Sequence, residues 1–186
     1  AYNPITQKTR HYRHNSKDIN SLSTDKLTSL YIDSDNQLWI GTDKYGINIY
    51  NVNIDGFYRL TPSTNNSDVN KKLPTVVINN IYQDQQKSYW VATGLGIRAL
   101  SPHLERFSYL QNITNNKNSL SFNNVLGLHQ AKTGDIWTAT DGGGLNKLSA
   151  IDKNITHYNH DKENSNSLSS DSVISIDEDN EGNLWL

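Results

Sequence analysis

The sequence predicts an all-β fold: a β-propeller segment of four-stranded antiparallel blades, with about four blades present. Three observations predict it. The tryptophans fall at 39, 90, 137 and 185, a period of about 48 residues, which is the range of propeller blades. A second frame is locked to the first: Ser21, Ser119 and Ser167 each precede a tryptophan by 18 positions, and Lys72 stands at that place in a weaker copy. Between these marks lie short β-rich segments parted by turn residues, with no amphipathic stretch long enough for a repeat helix.

Each unit reads as four strands. The first covers Leu27 to Asp33, Ile78 to Asp84, Val125 to Ala131 and Val173 to Asp179. Its apolar residues sit three apart, but β-branched content and flanking turns favour a buried strand over a helical turn. A polar turn follows, such as Asp33-Ser34-Asp35-Asn36. The second strand is Leu38-Trp39-Ile40-Gly41-Thr42 and its copies from Tyr89 and Ile136. A glycine-bearing hairpin leads to the third: Asp43 to Gly46, Gly94 to Gly96 and Asp141 to Gly144. The third strand is Ile47 to Asn51, Ile97 to Ser101 or Leu145 to Ser149, and the fourth is Phe57 to Leu60, Phe107 to Leu110 or Ile155 to Tyr158. The units are 1–14 (the end of a blade), 20–60, 72–110, 118–160 and 166–186 (the start of a blade), because His11 to His14 aligns with His157 to His160 three periods later. On this count the sequence is not expected to close a ring by itself, and it is expected either to belong to a longer propeller or to associate through open blade faces.

Composition narrows the function. There are 17 basic and 19 acidic side chains, so no field would hold a polyanion and nucleic acid is not an expected partner. The chain has no cysteine, which removes disulfides and thiolate chemistry and suits either a cytoplasm or a bacterial periplasm. No apolar run approaches the roughly 20 residues of a membrane span, so this segment is expected to make no membrane contact. The start, Ala1-Tyr2-Asn3-Pro4, lacks the basic end and apolar stretch of a signal peptide and has no initiator Met, as expected of a processed chain or a piece of a longer one.

Three stretches carry a resemblance: Leu38 to Thr42, Asp141 to Asn146, and the recurring Asn-Ser-Leu-Ser at Asn20 to Ser23, Asn118 to Ser121 and Asn166 to Ser169. Together they resemble two-component regulator propeller repeats over the whole chain. The second unit departs from the pattern, with Lys72-Leu73-Pro74 for Asn-Ser-Leu and a shorter Gly94-Leu95-Gly96 hairpin. The resemblance implies the periplasmic sensor region of a bacterial hybrid two-component system or a related diguanylate cyclase. It further implies more blades of the same sensor, a homodimeric full-length protein, an oligosaccharide ligand, and a kinase or cyclase output domain outside this segment.

Site readings follow from the frame. Trp39, Trp90, Trp137 and Trp185 recur at one blade position and are expected to pack between blades; Trp137→Ala should then cost about 3–5 kcal/mol. Asp177 to Gly182 and Asp33 to Asp35 look like the start of a calcium loop, but Lys44 stands where the bidentate Glu would follow in one case and the sequence ends before it in the other. They are read as turns. His11/His14 and His157/His160 are three apart, and on a strand such residues point to opposite faces, so no metal site is expected. Asp141 to Gly144 lacks the Lys-Ser/Thr of a phosphate loop. No catalytic constellation and no cofactor motif is marked. Candidate ligand residues lie on the hairpin between strands two and three and beside it: Asp43, Lys44, Tyr45, Leu95, Arg98 and Asp141.

The reading is a non-catalytic, periplasmic sensor that responds to an oligosaccharide or other small ligand. Its rivals are a propeller lyase or glycoside hydrolase, whose carboxylate pair would come from different blades, and a pure protein-interaction scaffold.

Overall fold

The computed structural model describes residues 1–60, 75–100 and 107–186. Lys72, Leu73, Pro74 and Ser101 lie outside them, and with them the start of the second unit and the last residue read into its third strand.

Sixteen strands are described and no helix. The first blade is β3 (Leu27–Ile32), β4 (Leu38–Thr42), β5 (Ile47–Asn51) and β6 (Gly56–Leu60). The second is β7 (Ile78–Gln83), β8 (Tyr89–Thr93), β9 (Gly96–Leu100) and β10 (Phe107–Leu110), and the third is β11 (Val125–Gln130), β12 (Ile136–Thr140), β13 (Leu145–Leu148) and β14 (Ile155–Tyr158). Each forms a four-stranded antiparallel sheet in sequence order. A hairpin of β1 (Tyr2–Asn3) and β2 (Lys8–Thr9) precedes them, and a pair of β15 (Asp177–Glu178) and β16 (Leu184–Trp185) follows. These two pairs are separate sheets. The β1–β2 register, Tyr2 to Thr9, repeats that of Tyr50 to Phe57 between β5 and β6.

The first strand is bulged in every complete blade, between Leu27 and Ser29, Ile78 and Asn80, and Val125 and Gly127. The bulge turns a side chain toward the next blade. Thr28 Oγ1 donates to Ile78 O at 2.7 Å and Asn79 Nδ2 to Val125 O at 2.7 Å. Sequence alternation does the rest of the docking. Trp39 and Ile47 point forward into a cluster with Ile78, Ile81 and Val91 of the next blade. Ala92 and Ile97 point forward into Leu120, Val125, Leu128 and Ile136. Val173 to Asp179 forms strand only at Asp177–Glu178, because its one strand partner is the two-residue β16.

The tryptophans divide by what faces them. Trp39 is buried and Trp90 partly buried, each packed between blades. Trp137 instead stacks on Tyr158 of its own blade, with ring centroids 5.4 Å apart. Trp185 is 66% exposed. Among the described residues, the ring contacts of Trp137 lie within its own blade.

Candidate functional site on the hairpin face

A fixed polar frame shapes this face. Thr42, Thr93 and Thr140 each donate Oγ1 to the carbonyl of the glycine closing the hairpin, Gly46, Gly96 or Gly144, at 2.7–2.8 Å. Each also accepts a hairpin amide, from Tyr45, Leu95 or Gly143. Gly142 and Gly144 then give their amides to Asp171 O in the connection beyond. The Asn-Ser-Leu-Ser stretch is the other half of the frame. Ser21 Oγ accepts Asn15 N and donates to Asp18 O, and Ser119 Oγ does the same with Ile113 N and Asn116 O. The leucine carbonyl is held by His14 Nδ1, Asn112 Nδ2 and His160 Nδ1 in the three copies, each at 2.7 Å. His14 and His160 are thus turn anchors at one repeat position, and His157 Nε2 holds Ser119 O.

The predicted ligand residues separate into three groups. Lys44, Tyr45 and Leu95 are at the hairpin tips, exposed, Tyr45 by 54% and Leu95 by 47%. Lys44 has φ 71° where the third blade has Gly142 at φ 110°, a conformation that costs an L-residue. Asp43 and Asp141 turn into the seams: they bridge to Val77 and Ser172 of the following unit. Asp141 accepts Ser172 Oγ at 2.7 Å and Asn124 Nδ2 at 3.3 Å. Asp43 Oδ1 is buried with no hydrogen-bond partner among the described residues.

Arg98 is not at the surface. It is 4% exposed, with its guanidinium 3.7 Å from the Tyr109 ring centre. Burial pushes its pKa down and the nearby Tyr109 opposes that. The repeat explains the placement. In the other blades this position is Asn48 or Asn146, whose Oδ1 accepts the amide of Ser23 or Ser121. Arg98 thus brings donors to a position where those blades have an acceptor.

Sequence reading missed Phe122. It is 45% exposed, and a Cβ added at Gly142 would lie 3.7 Å from its ring. The first blade has Thr24 at that position and its aromatic on the hairpin, Tyr45; the third has Gly143 on the hairpin and its aromatic on the connection. Aligning the residue after Ser-Leu-Ser across units would have found the exchange. Beside the third hairpin is a polar groove of about 520 Å³, lined in part by Asn112, Lys117, Gly143, His157 and Asn159.

Sequence reading also missed an Asp–Trp latch six residues long. Trp39, Trp90 and Trp185 donate Nε1 to Asp33, Asp84 and Asp179 at 2.8, 2.8 and 3.1 Å. The third blade has Ala131 instead. The aspartate's other oxygen closes the turn by accepting Asp35 N and Gln37 N at Asp33, and Glu181 N and Asn183 N at Asp179. These carboxylates are therefore turn staples. Burial raises the Asp33 pKa, but hydrogen bonds from Tyr89, Gln37, Trp39 and Asp35 outweigh it and hold the group below its usual 3.8. Hydrogen bonds from Asn183, Trp185 and Glu181 lower Asp179 to about 2.

A family model, two component regulator propeller, matches residues 21–44. No curated protein matches the chain in sequence. The extracellular domain of the putative hybrid two component system BT4673 from B. thetaiotaomicron is similar in structure, with 22% identity and a TM-score of 0.75 over 99% of this chain and 22% of that one. The corresponding domain of BT3049 is 22% identical with a TM-score of 0.69, over 89% of this chain and 20% of that one. The chain thus spans about a fifth of the length of the structures it matches. It has their propeller fold, and it carries the two-component regulator propeller repeat.

Proposed function

We propose that this chain is part of a non-catalytic, extracytoplasmic sensing propeller of a bacterial signal-transduction protein, and that its ligand is an oligosaccharide. The observation that carries the reading is the regulator propeller repeat at 21–44 on the fold of hybrid two-component extracellular domains. The hairpin face supports it. Threonine and glycine positions hold one hairpin frame in all three four-stranded blades, while the exposed residue on that frame changes from Tyr45 to Leu95 to Phe122. A rigid scaffold with variable tips is how binding surfaces are built. Binding would bias a dimeric full-length sensor only by favouring one of its states, and a kinase or cyclase outside this segment would read the shift.

The test is location and response in the full-length protein. A membrane-impermeant lysine reagent should label exposed Lys44 and Lys117 in spheroplasts, and reporter output should follow added oligosaccharide. Protection of both lysines until lysis would reject the extracytoplasmic assignment.

A further inference from the structure

The seam between the first and second blades shows how the latch is completed. Tyr89 of the second blade lies on Trp39, with ring centroids 4.2 Å apart. Its hydroxyl donates to Asp33 Oδ2 at 2.7 Å, the same oxygen that accepts Trp39 Nε1. One carboxylate oxygen thus takes an indole N–H and a ring hydroxyl, and the ring covers the tryptophan.

The next seam repeats everything except that ring. Trp90 Nε1 donates to Asp84 Oδ2 at 2.8 Å, and Asp84 Oδ1 accepts the amides of Gln86 and Ser88. At the place of Tyr89, however, the third blade has Ile136, which carries neither a ring nor a hydroxyl. Among the described residues Asp84 Oδ2 accepts from the Trp90 indole alone. The seam here opens into a groove of about 780 Å³ lined by Trp90, Ile136 and Asp84, with Lys132 and Lys153 also lining it. That volume lies within the range of small-molecule sites.

We infer that this seam binds a hydroxyl-bearing six-membered ring, a pyranose unit of an oligosaccharide, stacked on Trp90 with one hydroxyl donated to Asp84 Oδ2. The pyranose is favoured over a phenol by the lining. Gln86, Lys132 and Lys153 line the groove. Lys132 Nζ already donates to Asp179 O and Asn180 O and Lys153 Nζ to Ala150 O, but the ammonium protons left over and the Gln86 amide can hydrogen-bond a sugar's remaining hydroxyls and find no partner on a phenol's C–H edge. The ring would touch two blades at once, so its binding would tighten one seam. The inference rests on the ligand-sensing reading and gives it a site.

The chain is titrated with methyl β-glucoside, maltotriose and p-cresol, the last being the tyrosine side chain itself, while the Trp90 indole N–H and the Ile136 methyls are followed by NMR. Both sugars should shift these signals. Ile136→Tyr supplies ring and hydroxyl from within, and should weaken sugar binding at least about tenfold, equivalent to roughly 1.4 kcal/mol. Tyr89→Ile should open the matching groove at the first seam and add a sugar-dependent shift at Trp39. If Ile136→Tyr does not fold, the shifts in the unaltered chain and in Tyr89→Ile decide. Response to p-cresol but to neither sugar overturns the pyranose assignment. Sugar shifts confined to the Gly142–Gly143 hairpin overturn this site and leave the sensing reading standing. Absence of any shift overturns the inference.

Discussion

Replacing Trp39 with alanine removes the best-buried tryptophan of the repeat. It is 7% exposed, stacks on Tyr89 across the first seam and donates Nε1 to Asp33. A tryptophan buries about 150–250 Å², which at about 25 cal/mol/Å² is roughly 4–6 kcal/mol as an upper bound. Measured losses for such truncations are about 3–5 kcal/mol. We expect about 4 kcal/mol, a large part of a stability of about 5–15 kcal/mol. Trp185→Ala is the internal control. The residue occupies the same repeat position and makes the same aspartate hydrogen bond, but it is 66% exposed, and its loss should cost less than about 1 kcal/mol. Urea unfolding followed by far-UV circular dichroism, compared at constant m-value, measures both. If Trp39→Ala leaves too little folded protein, Trp39→Phe keeps an aromatic ring at the seam and drops the donor, for a smaller loss of about 1–2 kcal/mol. Equal losses at Trp39 and Trp185, or a loss under about 1 kcal/mol at Trp39, would refute the claim that the tryptophans stabilise through the neighbouring blade and not through their own turn.

Other outcomes follow from the same geometry. Trp137→Ala should fall between these limits, at about 1–2 kcal/mol, since the ring is half-buried against Tyr158 and Lys147 of its own blade; a loss of about 4 kcal/mol in the same titration would mean a facing partner. Lys44→Gly should stabilise by about 1 kcal/mol, because the residue sits at φ 71°, and an unchanged or lowered midpoint would argue against that backbone. Asn48→Ala leaves the buried Ser23 amide without its acceptor and should cost about 1–3 kcal/mol, read by amide hydrogen exchange at Ser23. Asp33 has a folded pKa below its unfolded value, so its contribution is full above about pH 4 and lost as pH falls through the folded value. Asp33→Asn should therefore flatten the acid limb of a stability–pH profile, and an unaltered limb would contradict the turn-staple role.

The blade frame was legible because it is written in spacing. Tryptophan, Ser-Leu-Ser and glycine hairpin recur at fixed distances, and a repeat must present the same groups to the same neighbours. The described strands accordingly fall within the segments that the repeat marks, apart from Val173 to Ile176. What single-unit reading could not show is pairing between units. Arg98 reads as a surface cation until it is aligned with Asn48 and Asn146, which are buried at the same repeat position. Asp43 and Asp141 read as tip residues, yet each bridges to the following unit, at Val77 and Ser172. Phe122 stayed hidden because its aromatic moved from one segment to another while the surface position stayed the same.

The central claim is that this propeller binds and does not transform its ligand. Titration calorimetry of the chain against an oligosaccharide panel, with product analysis by NMR on the same samples, tests it most directly. The account predicts saturable heat from at least one oligosaccharide and unchanged sugar after prolonged incubation. Cleaved or eliminated product that disappears when one carboxylate is replaced would contradict it, as would the absence of binding across the panel.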